Sequence, residues 1–213
     1  MKILYAESDF WAKHREFQQR YEAKIERAFA AVRRYFPELP EQVTFLLQTN
    51  DFDCIPETGD GAFTKNSRLI ILTIDPGLPY GEEALLRQIR PGIFHELDHA
   101  VRFELGRWHK DFLDSCIMEG LATVFERDYA KVDPLWGRYD PSEAADWLVE
   151  IQAAHNNPNF YEYMFKHSDG RRWIGYKVGC YIIDTAKEKS KKSVLELTKL
   201  ECSEILRLAE IEA

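Results

Sequence analysis

The sequence predicts an α+β fold, in which a small sheet is followed by a longer helical part. Short segments rich in β-branched residues lie within the first 80 residues, and after Tyr80 the apolar residues recur mostly at helical spacing. Strands followed by a run of helices are typical of this class. A chain of 213 residues suits one domain with a sizeable core. We therefore expect a single domain, with a sheet-containing part at about 1–80 and a helical part at about 81–213.

The region before Tyr80 is predicted to contain one long helix among short strands. Ser8 or Asp9 can cap this helix, and we expect it to end near Phe36 because two prolines follow. The turn-rich segment 75–81 ends the sheet region. The predicted strands are 2–6, Val43–Thr49, a short piece at Ala62–Thr64, and Arg68–Ile74.

The region after Tyr80 is predicted to be helical almost throughout. Pro91 favours the start of a new helix, since proline suits the first turn, and Gly106 suits the position just after a helix end. The expected helices are Glu82–Arg90, Pro91–Leu105, Phe112–Tyr129, Ser142–Ala154, Tyr161–Phe165, Trp173–Lys187 and, with a break, Ser193–Glu210.

Composition narrows the class of protein. Hydrophobic residues make up 45% of the chain and the formal net charge is −8, which fits a soluble globular protein and argues against a broad nucleic-acid surface. Neither a signal-like apolar segment nor a stretch long enough to span a bilayer is found, so we expect a cytoplasmic protein without a membrane partner. The cysteines are too scattered to indicate disulfides or a thiolate zinc site; they are Cys54, Cys116, Cys180 and Cys202.

The segment HELDH, residues 95–99, is the strongest functional motif. Residues four apart share a helix face, so His95 and His99 can direct two imidazoles at one metal ion, and zinc favours imidazole ligands. Glu96 points to the side of such an ion, where its carboxylate can act as general base on a metal-bound water. Asp98 could orient a ligand, although a solvated or salt-bridged role is the simpler interpretation.

A catalytic zinc site usually has a third protein ligand and one open position. The predicted helix 112–129 offers Glu119, which follows His99 after nineteen intervening residues and precedes the small residues Gly120 and Ala122. Small residues let two helices approach closely, so Glu119 is the favoured third ligand. The same helix also offers Glu126 and Asp128. The competing carboxylate is Glu126, and the weaker alternatives are Glu104 and Asp111.

HELDH followed at this distance by EGLA resembles the gluzincins, the thermolysin-like group of zinc metallopeptidases. More narrowly, the chain resembles DUF2268, a family of predicted Zn-dependent proteases, in which a G-Y-x-x-G helix follows and corresponds here to WIGYKVGCYIID at 173–184. The resemblance covers roughly Leu69 to Ile205. The first sixty or so residues agree only in having a long helix followed by strands.

The resemblance implies that His95, His99 and Glu119 bind Zn²⁺ and that Glu96 is the general base. It implies a zinc metallopeptidase that acts on a peptide or protein. The alternative is a zinc-binding regulatory or binding module with little or no turnover. The implied fold is zincin-like: a small twisted sheet packs on the active-site helix, and a peptide lies extended along an outer strand. Either Arg68–Ile74 or Ala62–Thr64 could be that outer strand.

The chain departs from thermolysin-like enzymes in one respect. It has no clear equivalent of the downstream histidine that those enzymes use to stabilise the oxyanion. Tyr176, in the segment GYKVG between Gly175 and Gly179, could supply a phenol for this purpose. The alternatives are an ordinary buried tyrosine at this position and, as other oxyanion donors, His155, His167 and Arg172.

Overall fold

The structure is a computed structural model that describes residues 1–6, 9–154 and 157–212. The chain divides into two compact units, Met1–Glu104 and Leu105–Ala213. The described residues of the first unit form a four-stranded sheet and three helices, and those of the second form mainly helices. This arrangement confirms the predicted α+β class. The number of domains stays a prediction.

The sheet has the strand order β1-β2-β4-β3. β1 and β4 both pair with β2 in parallel, whereas β3 is antiparallel to β4 and forms one edge of the sheet. The alternative that placed Arg68–Ile74 at the edge is therefore wrong, and the piece at Ala62–Thr64 belongs to the edge strand. The largely apolar sequence of β4 suits an inner strand with neighbours on both sides. The strand bounds are Lys2–Tyr5 (β1), Thr44–Thr49 (β2), Asp60–Asn66 (β3) and Leu69–Ile74 (β4).

The edge strand β3 carries an irregularity between Thr64 and Asn66, where the pairing with β4 shifts by one residue. A β-bulge of this kind inserts an extra residue and bends the strand locally. Thr64 is buried, whereas Phe63 and Lys65 on either side of it are exposed. The strand therefore turns one polar side chain into the first unit and presents its neighbours outward.

The long N-terminal helix of the prediction is divided in two, α1 (Asp9–Lys13) and α2 (Arg15–Tyr35). The break lies at His14, whose φ of −115° and ψ of 45° are not helical. His14 has a tertiary contact there, because its Nδ1 lies 3.0 Å from a carboxylate oxygen of Glu82. Its ring also stacks on Phe10, four residues earlier. Helix α2 ends next to Phe36, as predicted, and the candidate cap Ser8 lies outside the described residues.

Residues 82–104 form one helix, α3 (Glu82–Glu104), and not the two helices that Pro91 predicted. Proline inside a helix costs a backbone hydrogen bond, but tertiary packing can outweigh that local preference. The packing is extensive here, because Pro91 and every residue of the run 93–102 are buried. Gly106 follows the helix with a φ of +68°, as expected for a residue just past a helix end.

The helices of the second unit follow the prediction with small shifts at their ends. Asp111 caps α4 by accepting a hydrogen bond from the backbone N–H of Asp114. The last predicted turns of this helix are a π-helix, Glu126–Ala130. The bounds are Phe112–Phe125 (α4), Pro141–Ala153 (α5), Phe160–Met164 (α6), Ile174–Ser190 (α7), Val194–Leu197 (α8) and Cys202–Ala209 (α9).

Helices α4 and α7 approach each other through glycine. A Cβ added at Gly120 would lie 2.2 Å from the carbonyl carbon of Gly179, and one added at Gly179 would lie 1.9 Å from the carbonyl oxygen of Cys116. Neither position has room for any other residue. Gly120 therefore permits a close helix contact, but the partner helix is α7. The expectation that small residues here let the helix of Glu119 approach the HELDH helix stays a prediction.

Among the residues that the structure describes, no helix combines the length and the apolar character needed to cross a bilayer.

Candidate metal centre

Three side chains of the HELDH segment lie on one buried stretch of α3. His95, Glu96 and His99 are 8%, 6% and 8% exposed, so only a small part of each residue is accessible to solvent. The two imidazole rings are neighbours, with centroids 4.9 Å apart and planes at 79°. This is the arrangement that a spacing of four on a helix predicts. Two ring nitrogens can therefore converge on one ion from the same helix.

The edge strand supplies a partner for Glu96 that the sequence did not reveal. The hydroxyl of Thr64 lies 2.6 Å from Oε2 of Glu96 and 2.8 Å from its backbone carbonyl oxygen, and it can donate to either. Both side chains are buried, Thr64 being 4% exposed. The sequence carried no signal for this residue, because the segment around Thr64 does not alternate: Ala62, Phe63, Lys65 and Asn66 are all exposed. The hydrogen bond of Thr64 with Glu96 on α3 joins residues 32 apart in sequence, so it depends on the tertiary fold.

Asp98 is fully buried, so the interpretation of a solvated carboxylate is wrong. Arg102, one helical turn later, is also fully buried. Ionised groups are rarely found in such positions unless other groups compensate their charge. Whether Asp98 orients a metal ligand stays a prediction.

Glu119 lies on α4, in the turn that contacts α7 through Gly120, and its side chain is half-buried. Burial, and next to it the charge of Glu119, raise the pKa of the Cys116 thiol well above its usual value. In the absence of a metal ion Cys116 is therefore a neutral thiol. Cys116 does not belong to the group of side chains that could hold a metal ion.

One group of His, Cys, Asp or Glu side chains in the described part of the chain could hold a metal ion, and it consists of His95, His99 and Glu119. Each offers one ligand atom, and these atoms all lie within 4.8 Å of one another. Ligands about 2.0–2.2 Å from a tetrahedral zinc lie roughly 3.4 Å apart, which is below the upper bound of 4.8 Å for this group. Two imidazole nitrogens and one carboxylate oxygen also match the ligand types of catalytic zinc.

The other predicted carboxylate candidates are not part of that group. Glu126 is 2% exposed and begins the π-helix. Asp111 is occupied as the cap of α4, and Glu104 lies 3.9 Å from the guanidinium of Arg68. Asp128 forms ion pairs with Arg127 and Lys187. These roles are structural and do not require a metal.

The candidates for an oxyanion donor lie around the start of α7. The ring of Tyr176 packs edge-on against Trp173, at 5.7 Å between centroids, and the side chain is partly exposed. Nδ1 of His167 lies 2.9 Å from a carboxylate oxygen of Asp169, and the guanidinium of Arg172 lies over the ring of Trp173. The fourth candidate is outside the described residues; it is His155. The role of each stays a prediction.

Fold and site together define an α+β protein with a candidate metal centre on a buried H-E-x-x-H helix. A family model described as "Predicted Zn-dependent protease (DUF2268)" matches residues 17–207, and the chain belongs to this family. The resemblance inferred from the motifs is thereby confirmed. The match begins within α2, so it extends well before Leu69, where the motifs alone placed its start. No curated protein and no solved structure matches the chain.

Proposed function

We propose that the protein is a zinc-dependent peptidase, in which His95, His99 and Glu119 hold the metal and Glu96 is the general base. The observation that carries this proposal is the convergence of the three ligand atoms within 4.8 Å, on a group that includes both histidines of the motif. The family description, a predicted Zn-dependent protease, supports the same assignment. The zincin-like form of the fold is part of this proposal.

Bound zinc would polarise a peptide carbonyl and increase the acidity of water. The chain's own contribution begins with Glu96, whose carboxylate accepts a proton from the attacking water and passes it to the leaving amine. The hydroxyl of Thr64 orients that carboxylate from the side of β3. Because both groups are buried, few water molecules compete for this hydrogen bond.

The substrate in this proposal is an extended peptide that pairs with the open edge of β3. An edge strand presents backbone N–H and C=O groups that a further strand can bind. The outward residues of β3 leave this edge accessible, since Ala62, Phe63 and Lys65 are exposed. Backbone pairing would bind peptides with little demand on their sequence.

The test combines metal analysis with a cleavage profile. Purified protein is analysed for zinc by mass spectrometry and then incubated with a proteome-derived peptide mixture, with zinc-loaded Glu96→Gln as the matched control. We expect about one zinc per chain in both proteins and cleavage by the wild type alone. Removal of a general base costs roughly a hundred- to ten-thousand-fold in rate. Stoichiometric zinc without any cleavage by the wild type would instead favour a zinc-binding regulatory or binding module.

A further inference from the structure

Gly92 occupies an unusual place in α3. It lies three residues before His95 and seven before His99, on the same face of the helix. Glycine within a helix is destabilising relative to alanine, so it usually reflects a special backbone angle or a close contact. Neither reason applies, because φ of Gly92 is not positive and an added Cβ would meet no heavy atom within 4 Å among the described residues.

The helical glycines of the second unit provide a comparison. A Cβ at Gly120, Gly175 or Gly179 would lie 2.4 Å or less from the nearest heavy atom, so close packing requires glycine at all three. Gly92 is different because the space above it is open. Glycine at this position leaves a gap on the face of α3 that carries the two histidines.

The gap is part of a small, half-open pocket between α3 and the edge strand β3, with about 240 Å³ of empty space that includes open solvent. Its position follows the contact between these two elements. Thr64 meets Glu96, and the pocket lies two to four residues earlier along the strand and three to eight residues earlier along the helix. We call this space the Gly92 pocket; Gly92, Gln88, Gly61, Ala62, Asp60 and Tyr21 are among its lining residues, and the others are apolar.

The lining determines which chemistry fits. Gly61, Ala62 and Gly92 contribute almost no side-chain volume, and the closed part of the pocket is small. Burial, and next the charge of Asp60, raise the pKa of Tyr21 far above its ordinary value, so its phenol is neutral and able to donate a hydrogen bond. The Asp60 carboxylate and the Gln88 amide add acceptors. A second carboxylate in this space would be repelled by Asp60.

We propose that the Gly92 pocket receives one side chain of a peptide lying along β3, and that it selects a small, non-acidic residue such as glycine, alanine or serine. This inference rests on the proposed function, because it assigns a specificity subsite to the same cleft. Gly92 sets the depth of the pocket, and Asp60 sets its preference of charge.

The experiment uses the full-length, zinc-loaded protein and a set of peptides that differ only at the residue in the pocket. Wild type, Gly92→Ala and Gly92→Leu are compared, with Arg87→Ala as a control on an exposed part of α3 outside the pocket lining. We expect the wild-type cleavage profile to be enriched in small residues and depleted of Asp and Glu at one position. Gly92→Leu should lower kcat/KM for the alanine and serine peptides about tenfold relative to the glycine peptide, the size of effect that added methylene groups have in a tight pocket.

Two further results complete the test. Gly92→Ala should raise the melting temperature, because alanine favours the helix. It should also narrow the cleavage profile toward glycine at the residue in the pocket, because the added methyl group fills the gap. Asp60→Asn should increase the relative kcat/KM for a peptide with Asp at that position. Profiles of Gly92→Leu and Arg87→Ala that both match the wild type would overturn the inference.

A measurement of peptide binding distinguishes a failure of this inference from a failure of the proposed function. The affinity of zinc-loaded Glu96→Gln for the fluorescently labelled peptides is measured by anisotropy, with and without Gly92→Leu. If the wild type cleaves nothing but Gly92→Leu still weakens binding of the alanine peptide about tenfold, the pocket is correct and the peptidase function is wrong. If Gly92→Leu leaves peptide binding unchanged, or no peptide binds, the pocket assignment is wrong whether or not the protein turns over.

Discussion

Replacing Thr64 by valine removes one hydroxyl group and leaves the shape of the side chain nearly unchanged. The lost hydrogen bond is short, 2.6 Å between Oγ1 of Thr64 and Oε2 of Glu96, and both side chains are at least nine-tenths buried. A hydrogen bond to a charged group contributes about 1.5–3 kcal/mol. If all of about 2 kcal/mol is lost from the transition state, then at 1.36 kcal/mol for each tenfold change in rate kcat should fall by up to roughly thirtyfold.

The effect should appear in kcat and not in KM. Thr64 faces the base, and the peptide in our proposal binds to the backbone of β3, so removing the hydroxyl misplaces the proton acceptor without removing a substrate contact. Both constants are measured with one peptide taken from the cleavage profile, together with zinc content and thermal stability. Thr64→Ser is the matched variant, because it restores a donor at the same Cβ and should recover most of the turnover.

A double-mutant cycle identifies the residue through which Thr64 acts. Adding Thr64→Val to Glu96→Gln should lower the residual activity much less than thirtyfold, since the base is already absent. The same four proteins unfolded in urea should show a coupling free energy of about 0.5 kcal/mol or more between the two positions, which needs no substrate. A Thr64→Val enzyme with kcat within twofold of the wild type would show that the hydroxyl does not orient the base.

Three further predictions concern the metal and the oxyanion. The double variant His95→Ala/His99→Ala should bind no stoichiometric zinc in metal analysis, and one zinc per chain in that variant would show the assignment to be wrong. Glu119→Ala should weaken zinc binding strongly in a competition with a chelator, whereas Glu126→Ala should not; the reverse result would move the third ligand to the π-helix. Tyr176→Phe should lower turnover roughly a hundred- to a thousand-fold with unchanged zinc content, and nearly intact turnover would leave the phenol a packing role only.

The sequence predicted most elements of the fold because local patterns determined them. The period of α3 placed His95 and His99 on one face, and the β-branched runs located the strands of the sheet. Two predicted boundaries were wrong for the same reason. At Pro91 and at His14, local preference was outweighed by packing and by contacts with distant residues, which no window of sequence displays.

The candidate site also combines residues that local patterns indicated with residues that depend on tertiary contacts. The motif indicated His95, Glu96 and His99, and a spacing of small residues favoured Glu119, because these signals lie within single helices. Thr64 and the Gly92 pocket could not be predicted, since both depend on which strand lies at the edge of the sheet and on its register against α3. The choice between two edge strands was open in the sequence, and the strand order resolved it in favour of β3.

The contact between α4 and α7 determines how firmly Glu119 is held. At the Gly120–Gly179 contact no side chain separates the two helices, so the distance between them depends on main-chain atoms, which have no rotamers to change. Elsewhere in a core, a substituted leucine or methionine can be accommodated by a shift of one helix against another. At this contact no side chain is available to absorb such a shift, so the distance between α4 and α7 beside Glu119 is set by the backbone itself. Substitutions among the apolar neighbours should therefore leave that distance nearly unchanged.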